Sequence, residues 1–171
     1  MRKKDDLVGT YEISTGTAEV VADEYHDSGY TLMVNGVPSS HIVLGAPEIL
    51  EFEYMRWIAA AVETLLPVAP DTLRMTHLGG AGCSLPRYFA SIWPKSRHTV
   101  VELDAKLGEL VRTLFDVPRS PTVKTRAGEA RAVTDGFAPA SRDVIIRDVF
   151  AGDKTPHPLT TREFFQSVRH A

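Results

Sequence analysis

Apolar and polar residues alternate in short runs over the first 45 positions. Beyond them, apolar residues recur at the longer spacing of a helix. Residues 17–21 and 30–34 are short runs that favour β-strands, separated by Gly and Asp. The dipeptide Asn35-Gly36 and the run at residues 40–44 follow, which predicts a hairpin with a tight turn. We therefore expect a small antiparallel β unit in residues 1–46.

A helix is predicted over residues 47–66, where apolar side chains recur at helical spacing. Pro47 suits the first helical turn, and Glu48 suits the positive end of the helix. The helix is expected to end before Pro67 and Pro70, because proline cannot continue it.

From residue 73 onward, strands alternate with helices. The pattern predicts strands at residues 73–78, 99–103, 122–125 and 143–148, and helices at residues 85–92, 105–115 and 161–169. Alternation of this kind indicates right-handed crossovers and a mainly parallel sheet, so the predicted class is α/β. The continuously apolar run at residues 144–146 is typical of a strand covered on both faces.

Composition and charge limit the classes of protein to which this sequence can belong. The 171 residues are 43% hydrophobic and 24% charged, with a formal net charge of −3, which indicates a globular protein without a field that attracts nucleic acid. The single cysteine cannot form an internal disulfide, and no apolar stretch has the length of a membrane span. The first residues lack the apolar core of a secretory signal. We expect a cytoplasmic protein that binds neither nucleic acid nor membrane.

Three glycines follow the first predicted strand of the parallel sheet, at positions 79, 80 and 82. In such a sheet, Gly79, Gly80 and Gly82 would occupy a strand-to-helix turn where main-chain N–H groups can approach a ligand closely. Glycine also serves tight turns and close packing, and that alternative has about equal weight.

Glu102 lies at the carboxyl end of the next predicted strand, about 20 residues after the glycines. An acid at this position can accept hydrogen bonds from both ribose hydroxyls. The two features together predict that residues 47–171 form a Rossmann-like nucleoside-binding domain.

Two further acids follow later strands. Glu129 could receive an adenine amino group, although an exposed loop glutamate is the simpler interpretation. Asp148 would lie at the lip of the same crevice, where it could orient an amine and accept its proton, or merely cap the next turn.

Five segments in order carry a resemblance to a known family. They are residues 78–82 (LGGAG), 100–104 (VVELD), 128–131 (GEAR), 143–150 (DVIIRDVF) and 159–165 (LTTREFF). From about Tyr11 to the last residue, the chain resembles the polyamine aminopropyltransferases, of which spermidine synthase is the familiar member. The resemblance implies a methyltransferase-like Rossmann sheet preceded by a small β unit.

The resemblance also implies an activity. Members of the family transfer an aminopropyl group from decarboxylated S-adenosylmethionine to an amine. Glu102 would then bind ribose, Glu129 with its neighbour Ala130 would bind adenine, and Asp148 would help to deprotonate the amine. The co-substrate would be decarboxylated S-adenosylmethionine or S-adenosylmethionine. No metal is expected, because the six histidines show no metal-ligand spacing.

The chain departs from the family pattern in the amine half of the site. Gly82 stands where the family has an aspartate for the aminopropyl ammonium, and Ala151 stands where a second aspartate holds the polyamine. Asp153 is a candidate substitute for that second acid. Ser39 stands where the family has a glutamine, and Tyr54-Met55-Arg56 stands where it has a Tyr-His-Glu run. Tyr54 is therefore a candidate substrate contact. The positive charge of Arg56 would repel a polyamine.

Two other functions stay open: an S-adenosylmethionine-dependent methyltransferase, and a non-catalytic nucleoside-binding or assembly module. The family sheet has about seven strands, whereas this sequence ends after the fourth. We therefore expect residues 144–146 to form an open edge that pairs with a second copy, is covered by the last helix, or belongs to a shortened version of a longer protein. The resemblance also favours a homodimer.

Overall fold

The computed structural model describes residues 6–66, 72–150, 152 and 154–171. The strands are β1 (Gly9–Ile13), β2 (Gly16–Ala22), β3 (Gly29–Val34), β4 (Val37–Val43), β5 (Arg74–Leu78), β6 (Arg97–Glu102), β7 (Val123–Ala127) and β8 (Val144–Arg147). The α-helices are α1 (Glu53–Leu65), α2 (Ser84–Ile92), α3 (Ala105–Leu114), α4 (Ala130–Asp135) and α5 (Arg162–His170). Strand β1 and the short helix α4 are additions to the elements that the sequence predicts.

The first four strands form an antiparallel sheet in the order β1-β2-β3-β4. Asn35 and Gly36 connect β3 to β4 with φ angles of 51° and 78°, as a type I′ hairpin turn requires. Val34 pairs directly with Val37 across this turn. The predicted hairpin is confirmed.

The second sheet is parallel and has the strand order β7-β6-β5-β8. Because the strands run in one direction, their carboxyl ends lie at one edge, directly before the segments 79–83, 103–104, 128–129 and 148–150. The α/β class is therefore confirmed, with a methyltransferase-like parallel sheet behind a small antiparallel one.

Helix α1 begins at Glu53, so the predicted start at Pro47 is wrong. The Arg56 guanidinium donates hydrogen bonds to the carbonyls of Leu50 and Glu51, which stabilises a non-helical approach to the helix. Leu50 is buried in this approach. The predicted end of the helix is nearly correct, while Pro67 and Pro70 lie outside the described residues.

One apolar cluster joins the two sheets. Val20, Leu32 and Ile42 of the antiparallel sheet pack with Val100 of β6 and Val111 of α3. The boundary predicted after residue 46 stays a proposal about domains, but burial of this shared surface couples the two parts energetically.

Strand β8 is the outer strand of the parallel sheet within the described part of the chain. Ile145 packs in one cluster with Phe164 of α5 and with the partly buried Val168. Helix α5 therefore shields one face of β8, while pairing of the strand edge with a second copy stays a prediction. None of the described helices is long and apolar enough to cross a membrane.

Candidate functional site

A cleft of about 900 Å³ opens where the carboxyl ends of the parallel strands face the antiparallel sheet. Its wall includes the turn after β5, the end of β6, the start of α4, the end of β8 and the β3–β4 hairpin. The volume is in the range of clefts that hold small ligands, and the position is the usual ligand site of an open α/β sheet.

Asp148 and Tyr54 meet at this cleft. The Tyr54 hydroxyl donates a hydrogen bond to Asp148 Oδ2 at 3.1 Å. The Asp148 main-chain N–H donates to the Leu78 carbonyl, which fixes the end of β8 beside the glycine turn. Two residues that the sequence predicts separately for the amine half of the site thus form one pair.

The environment of this pair changes both acidities. Burial raises the pKa of Asp148, and the hydrogen bond from Tyr54 partly offsets that rise. Burial, reinforced by the neighbouring carboxylate, raises the pKa of Tyr54. Tyr54 therefore stays a donor at neutral pH, and Asp148 is a stronger proton acceptor than an exposed aspartate.

Glu102 lines the cleft and binds the glycine turn. Its Oε2 accepts hydrogen bonds from the main-chain N–H groups of Gly80 and Ala81, at 3.0 and 3.2 Å. Its Oε1 accepts a hydrogen bond from the main-chain N–H of Asp104 at 3.1 Å. A carboxylate has about four acceptor positions, and these three hydrogen bonds leave one acceptor position on Oε1.

The three predicted glycines are each required by neighbouring protein atoms. Gly79 has a φ of +88°, and a Cβ there would collide with the Asp148 carbonyl. A Cβ on Gly80 would lie 2.7 Å from Val100 Cγ1, and one on Gly82 would lie 2.6 Å from Ile42 Cδ1.

These contacts explain why the positions are glycine without invoking a ligand. Gly79 and Gly80 also line the cleft, whereas Gly82 is buried and donates to Ser40 Oγ at 2.9 Å. Contact of these residues with a nucleoside stays a prediction.

Glu129 caps helix α4. Its carboxylate accepts hydrogen bonds from the N–H groups of Arg131 and Ala132, at 2.8 and 2.7 Å. Glu129 is exposed and Ala130 is buried, and both line the cleft. An adenine contact at Glu129 stays a prediction, because the capping role alone accounts for this acid.

Asp104 is a cleft residue to which the sequence analysis gives no role of its own. Its Oδ2 accepts from both the N–H and the hydroxyl of Thr15, and its Oδ1 accepts from the N–H of Leu107. Burial alone would raise the pKa of Asp104, but these hydrogen bonds lower it to about 2. An aspartate directly before a predicted helix is the signal that could have identified this cap.

Of the other predicted positions, one lies apart from the cleft, one lines it, and two are outside the described residues. Arg56 is not among the described residues that line the cleft, because its guanidinium binds the carbonyls before α1. The expected repulsion of a polyamine by Arg56 therefore lacks a structural basis. Ser39 lines the cleft and donates to the Val37 carbonyl. Ala151 and Asp153 lie outside the described residues.

The charged groups around the cleft share one sign. Glu102, Asp104, Glu129 and Asp148 line it, and no Lys or Arg does so among the described residues. Such a wall favours cationic ligands and repels anionic ones.

Two histidines meet a carboxylate away from the cleft. Asp23 Oδ2 lies 2.6 Å from His26 Nδ1 and 3.1 Å from His41 Nε2. The fold thus brings together a group that could hold a metal ion, although the sequence spacing gives no indication of it. None of the three residues lines the cleft.

Comparison with known proteins identifies relatives of this fold and sequence, although no family model matches the chain. A curated polyamine aminopropyltransferase from Vibrio vulnificus (strain CMCP6) is 28% identical over 120 residues, which cover 69% of this chain and 39% of the relative. The crystal structure of a probable spermidine synthase from Corynebacterium glutamicum ATCC 13032 is 54% identical, with a TM-score of 0.92, and the match covers 95% of this chain and 59% of that one.

A spermidine synthase solved in complex with the transition state analogue AdoDATO is 18% identical, with a TM-score of 0.67, and the match covers 96% of this chain and 52% of that chain. At this identity the likeness concerns the fold alone. The present chain thus spans less than two thirds of the length of each of these three relatives. The aminopropyltransferase relative and the 54% identity to a probable spermidine synthase support the spermidine synthase family for this chain.

Proposed function

We propose that this chain binds decarboxylated S-adenosylmethionine and transfers its aminopropyl group to an amine. The observation that carries the proposal is the Asp148–Tyr54 pair in a cleft whose charged lining residues, in the described part of the chain, are all acidic. A sulfonium and an ammonium that leave water for such a cleft require compensation of this kind.

The nucleoside would occupy the side of the cleft formed by the glycine turn and the end of β6. The open acceptor position of Glu102 supports a hydrogen bond from one ribose hydroxyl. The main chain of Gly79 and Gly80 and the side of Ala130 would contact the nucleoside, with Glu129 near the adenine. The related spermidine synthase that binds AdoDATO supports an S-adenosyl ligand for this fold.

Charge favours the decarboxylated donor over S-adenosylmethionine. The latter carries a carboxylate, for which the described cleft offers no Lys or Arg partner. The N–H groups of Gly80 and Ala81, which could serve an anion, are already bound to Glu102. The methyltransferase alternative therefore ranks second.

The transfer itself is a displacement at carbon. The lone pair of a neutral amine attacks the propyl carbon bonded to sulfur, and the carbon–sulfur electron pair moves to sulfur. The products are neutral methylthioadenosine and a positively charged secondary amine, whose proton passes to Asp148. Tyr54 holds the carboxylate in place, and alignment of the two substrates supplies most of the rate.

Ligand titration and a product assay test the proposal. Calorimetry should detect binding of methylthioadenosine, and weaker binding of S-adenosylmethionine. With decarboxylated S-adenosylmethionine and putrescine, mass spectrometry should detect aminopropylated product. Asp148→Asn should lower turnover about 100-fold or more while methylthioadenosine still binds.

Asp143→Asn is the matched control, because Asp143 lies just before the amino end of β8, at the opposite edge of the sheet. It should keep activity. Failure to bind any adenosyl ligand at millimolar concentration would favour the non-catalytic module, and methyl transfer without aminopropyl transfer would favour the methyltransferase.

The assembly state is a separate proposal. Resemblance to the family favours a homodimer that involves the antiparallel sheet. Light scattering coupled to size-exclusion chromatography should give twice the chain mass, and a monomer at all concentrations would contradict it.

A further inference from the structure

Two histidines and one aspartate meet at one end of the antiparallel sheet, apart from the cleft. Asp23 follows β2, His26 lies in the connection to β3, and His41 belongs to β4. Asp23 Oδ2 is 2.6 Å from His26 Nδ1 and 3.1 Å from His41 Nε2. These three atoms all lie within 4.8 Å of one another. The fold thus directs two imidazole nitrogens and one carboxylate oxygen towards a common point.

Solvent reaches this group of residues through His26. The side chain of His26 is 29% exposed, whereas those of Asp23 and His41 are 10% and 6% exposed. The arrangement therefore combines a path by which an ion can enter from water with two side chains that are largely shielded from water.

Hydrogen bonds hold the aspartate and the loop around it in place. The Asp23 N–H donates to the Gly29 carbonyl, and the Gly29 N–H donates to the His26 carbonyl, both at 2.9 Å. Asp23 Oδ1 accepts from the Tyr25 N–H at 3.0 Å, which leaves Oδ2 directed at the two histidines. A hydrogen bond of this kind to a metal-binding carboxylate fixes its orientation.

Asp23 supplies the negative charge that a cation site requires. Burial opposes its ionisation, but hydrogen bonds from the Tyr25 N–H, His26 and His41 outweigh burial and hold the pKa of Asp23 well below its usual range. The carboxylate is therefore ionised at neutral pH. His41 Nδ1 has no hydrogen-bond partner among the described residues whether Nε2 carries a proton or a metal ion, so this nitrogen favours neither state.

The three side chains suit a first-row transition ion. Imidazole together with carboxylate binds Zn²⁺, whereas Mg²⁺ and Ca²⁺ prefer oxygen ligands alone. A tetrahedral Zn²⁺ ion with bonds of about 2.0 to 2.1 Å holds its ligand atoms roughly 3.3 Å apart. The side chain of His26 would move about 0.7 Å from Asp23 to reach this spacing, and water would complete the coordination.

We propose that Asp23, His26 and His41 bind one Zn²⁺ ion, which joins the connection between β2 and β3 to strand β4. The site is separate from the cleft and does not rest on the proposed transfer reaction. Because only the folded chain brings the three residues together, the bound ion should stabilise the folded state.

Equilibrium dialysis against ZnCl₂ tests the site, with the chain carrying no added histidine tag. Wild type should bind about one equivalent. His26→Gln should weaken binding by about 100-fold or more, because loss of a group that only supports a ligand already costs about 10- to 100-fold. Glutamine can still donate to Asp23, so this variant keeps a hydrogen bond in place of the metal bond.

His170→Gln is the matched control, because His170 is an exposed histidine on α5 outside the proposed site. It should bind Zn²⁺ as wild type does. Equal affinity in His26→Gln and wild type, or no saturable binding by wild type, overturns the proposal.

Thermal unfolding gives a second readout. Zn²⁺ at about 100 times its Kd should raise the Tm of wild type by about 5 to 10 °C for a chain of this size. MgCl₂ at the same concentration should leave the Tm unchanged, and neither salt should raise the Tm of His26→Gln. Equal effects of the two salts on wild type contradict a site with imidazole ligands.

A third measurement requires no variant. X-ray absorption at the zinc edge, on wild type with less than one equivalent of ZnCl₂, should show scattering from two imidazole rings with nitrogen and oxygen neighbours only. Fewer than two imidazole rings contradict the proposal even if His26→Gln fails to fold.

Discussion

The Tyr54 hydroxyl donates to Asp148 Oδ2 at 3.1 Å, although the two residues are 94 positions apart. Tyr54 belongs to the helix before the parallel sheet and Asp148 follows its last described strand. Folding of the sheet therefore assembles the pair, and neither residue indicates the other in the sequence.

Tyr54→Phe should impair catalysis by changing the acidity of Asp148. The hydrogen bond from Tyr54 lowers the pKa of Asp148 against the larger opposing effect of burial. Its loss should raise that pKa further, so the acid limb of the kcat/KM profile should move to higher pH. At neutral pH we expect a loss of about three- to tenfold, the effect of one hydrogen bond.

The control for Tyr54→Phe is Tyr88→Phe. Tyr88 also donates to a carboxylate, Glu63 Oε1 at 2.7 Å, but it does not line the cleft. Its profile should match wild type. An unshifted acid limb in Tyr54→Phe would show that the pair does not control the active carboxylate.

Gly82→Ala should destabilise the protein. A Cβ at this position would lie 2.6 Å from Ile42 Cδ1 and 2.7 Å from Ser40 Cβ, in the interface between the two sheets. We expect a loss of about 1 to 3 kcal/mol in the free energy of unfolding, measured with urea.

Gly136→Ala is the matched control for Gly82→Ala. Gly136 has a φ of −92°, and the nearest atom to its Cβ position is the Val133 carbonyl oxygen at 3.6 Å. The substitution should be neutral or stabilise by up to about 1 kcal/mol, because alanine restricts the unfolded chain. Equal effects of the two substitutions would contradict the packing argument.

The sequence predicts best what local chemistry determines. The Asn35-Gly36 turn follows from residues that tolerate positive φ, and the parallel sheet follows from the alternation of apolar strands with helices. The start of α1 is wrong because hydrogen bonds from Arg56 to two preceding carbonyls override the favourable first-turn residues.

The candidate site also combines features that the sequence predicts with features that only the structure reveals. Positions at strand ends, such as Glu102 and Asp148, can be predicted because parallel strands end at one edge. The reason for glycine at position 82 lies on β4, and the partner of His77 lies on a neighbouring strand. Contacts between distant segments leave no spacing signal in a single sequence, so these relationships require the structure.

Asp104→Ala should weaken the attachment of the antiparallel sheet to α3. The carboxylate accepts from Thr15 N–H and Oγ1 and from Leu107 N–H, while the residue is 2% exposed. Loss of the cap leaves the buried Leu107 N–H without its acceptor and removes two bonds from the exposed Thr15, which together should cost about 2 to 4 kcal/mol. Thr15→Ala removes only the hydroxyl bond and should cost about 1 kcal/mol. Equal losses in urea denaturation would argue against the cap.

Acid should destabilise the protein in two separate ranges of pH. Burial lowers the pKa of His98 from 6.5 to about 4, and it lowers the pKa of His77 as well. The unfolded state therefore binds more protons than the folded state between pH 6.5 and 4, so stability falls as pH decreases through this range. Asp104, whose pKa is lowered by its hydrogen bonds, causes a second loss of stability as the pH falls from 3.8 to about 2.

The variant His77→Leu/His98→Leu separates the two ranges. Complete titration of His98 corresponds to about 3 kcal/mol, so wild type should lose stability of that order between pH 7 and pH 4, partly offset by Asp148, whose raised pKa acts in the opposite direction. Urea denaturation at pH 7, 6, 5 and 4 measures the slope. The double variant should have a much flatter profile above pH 4 and an unchanged decline below it, because Asp104 is intact. A wild-type slope in the double variant would mean that other groups control the acid sensitivity.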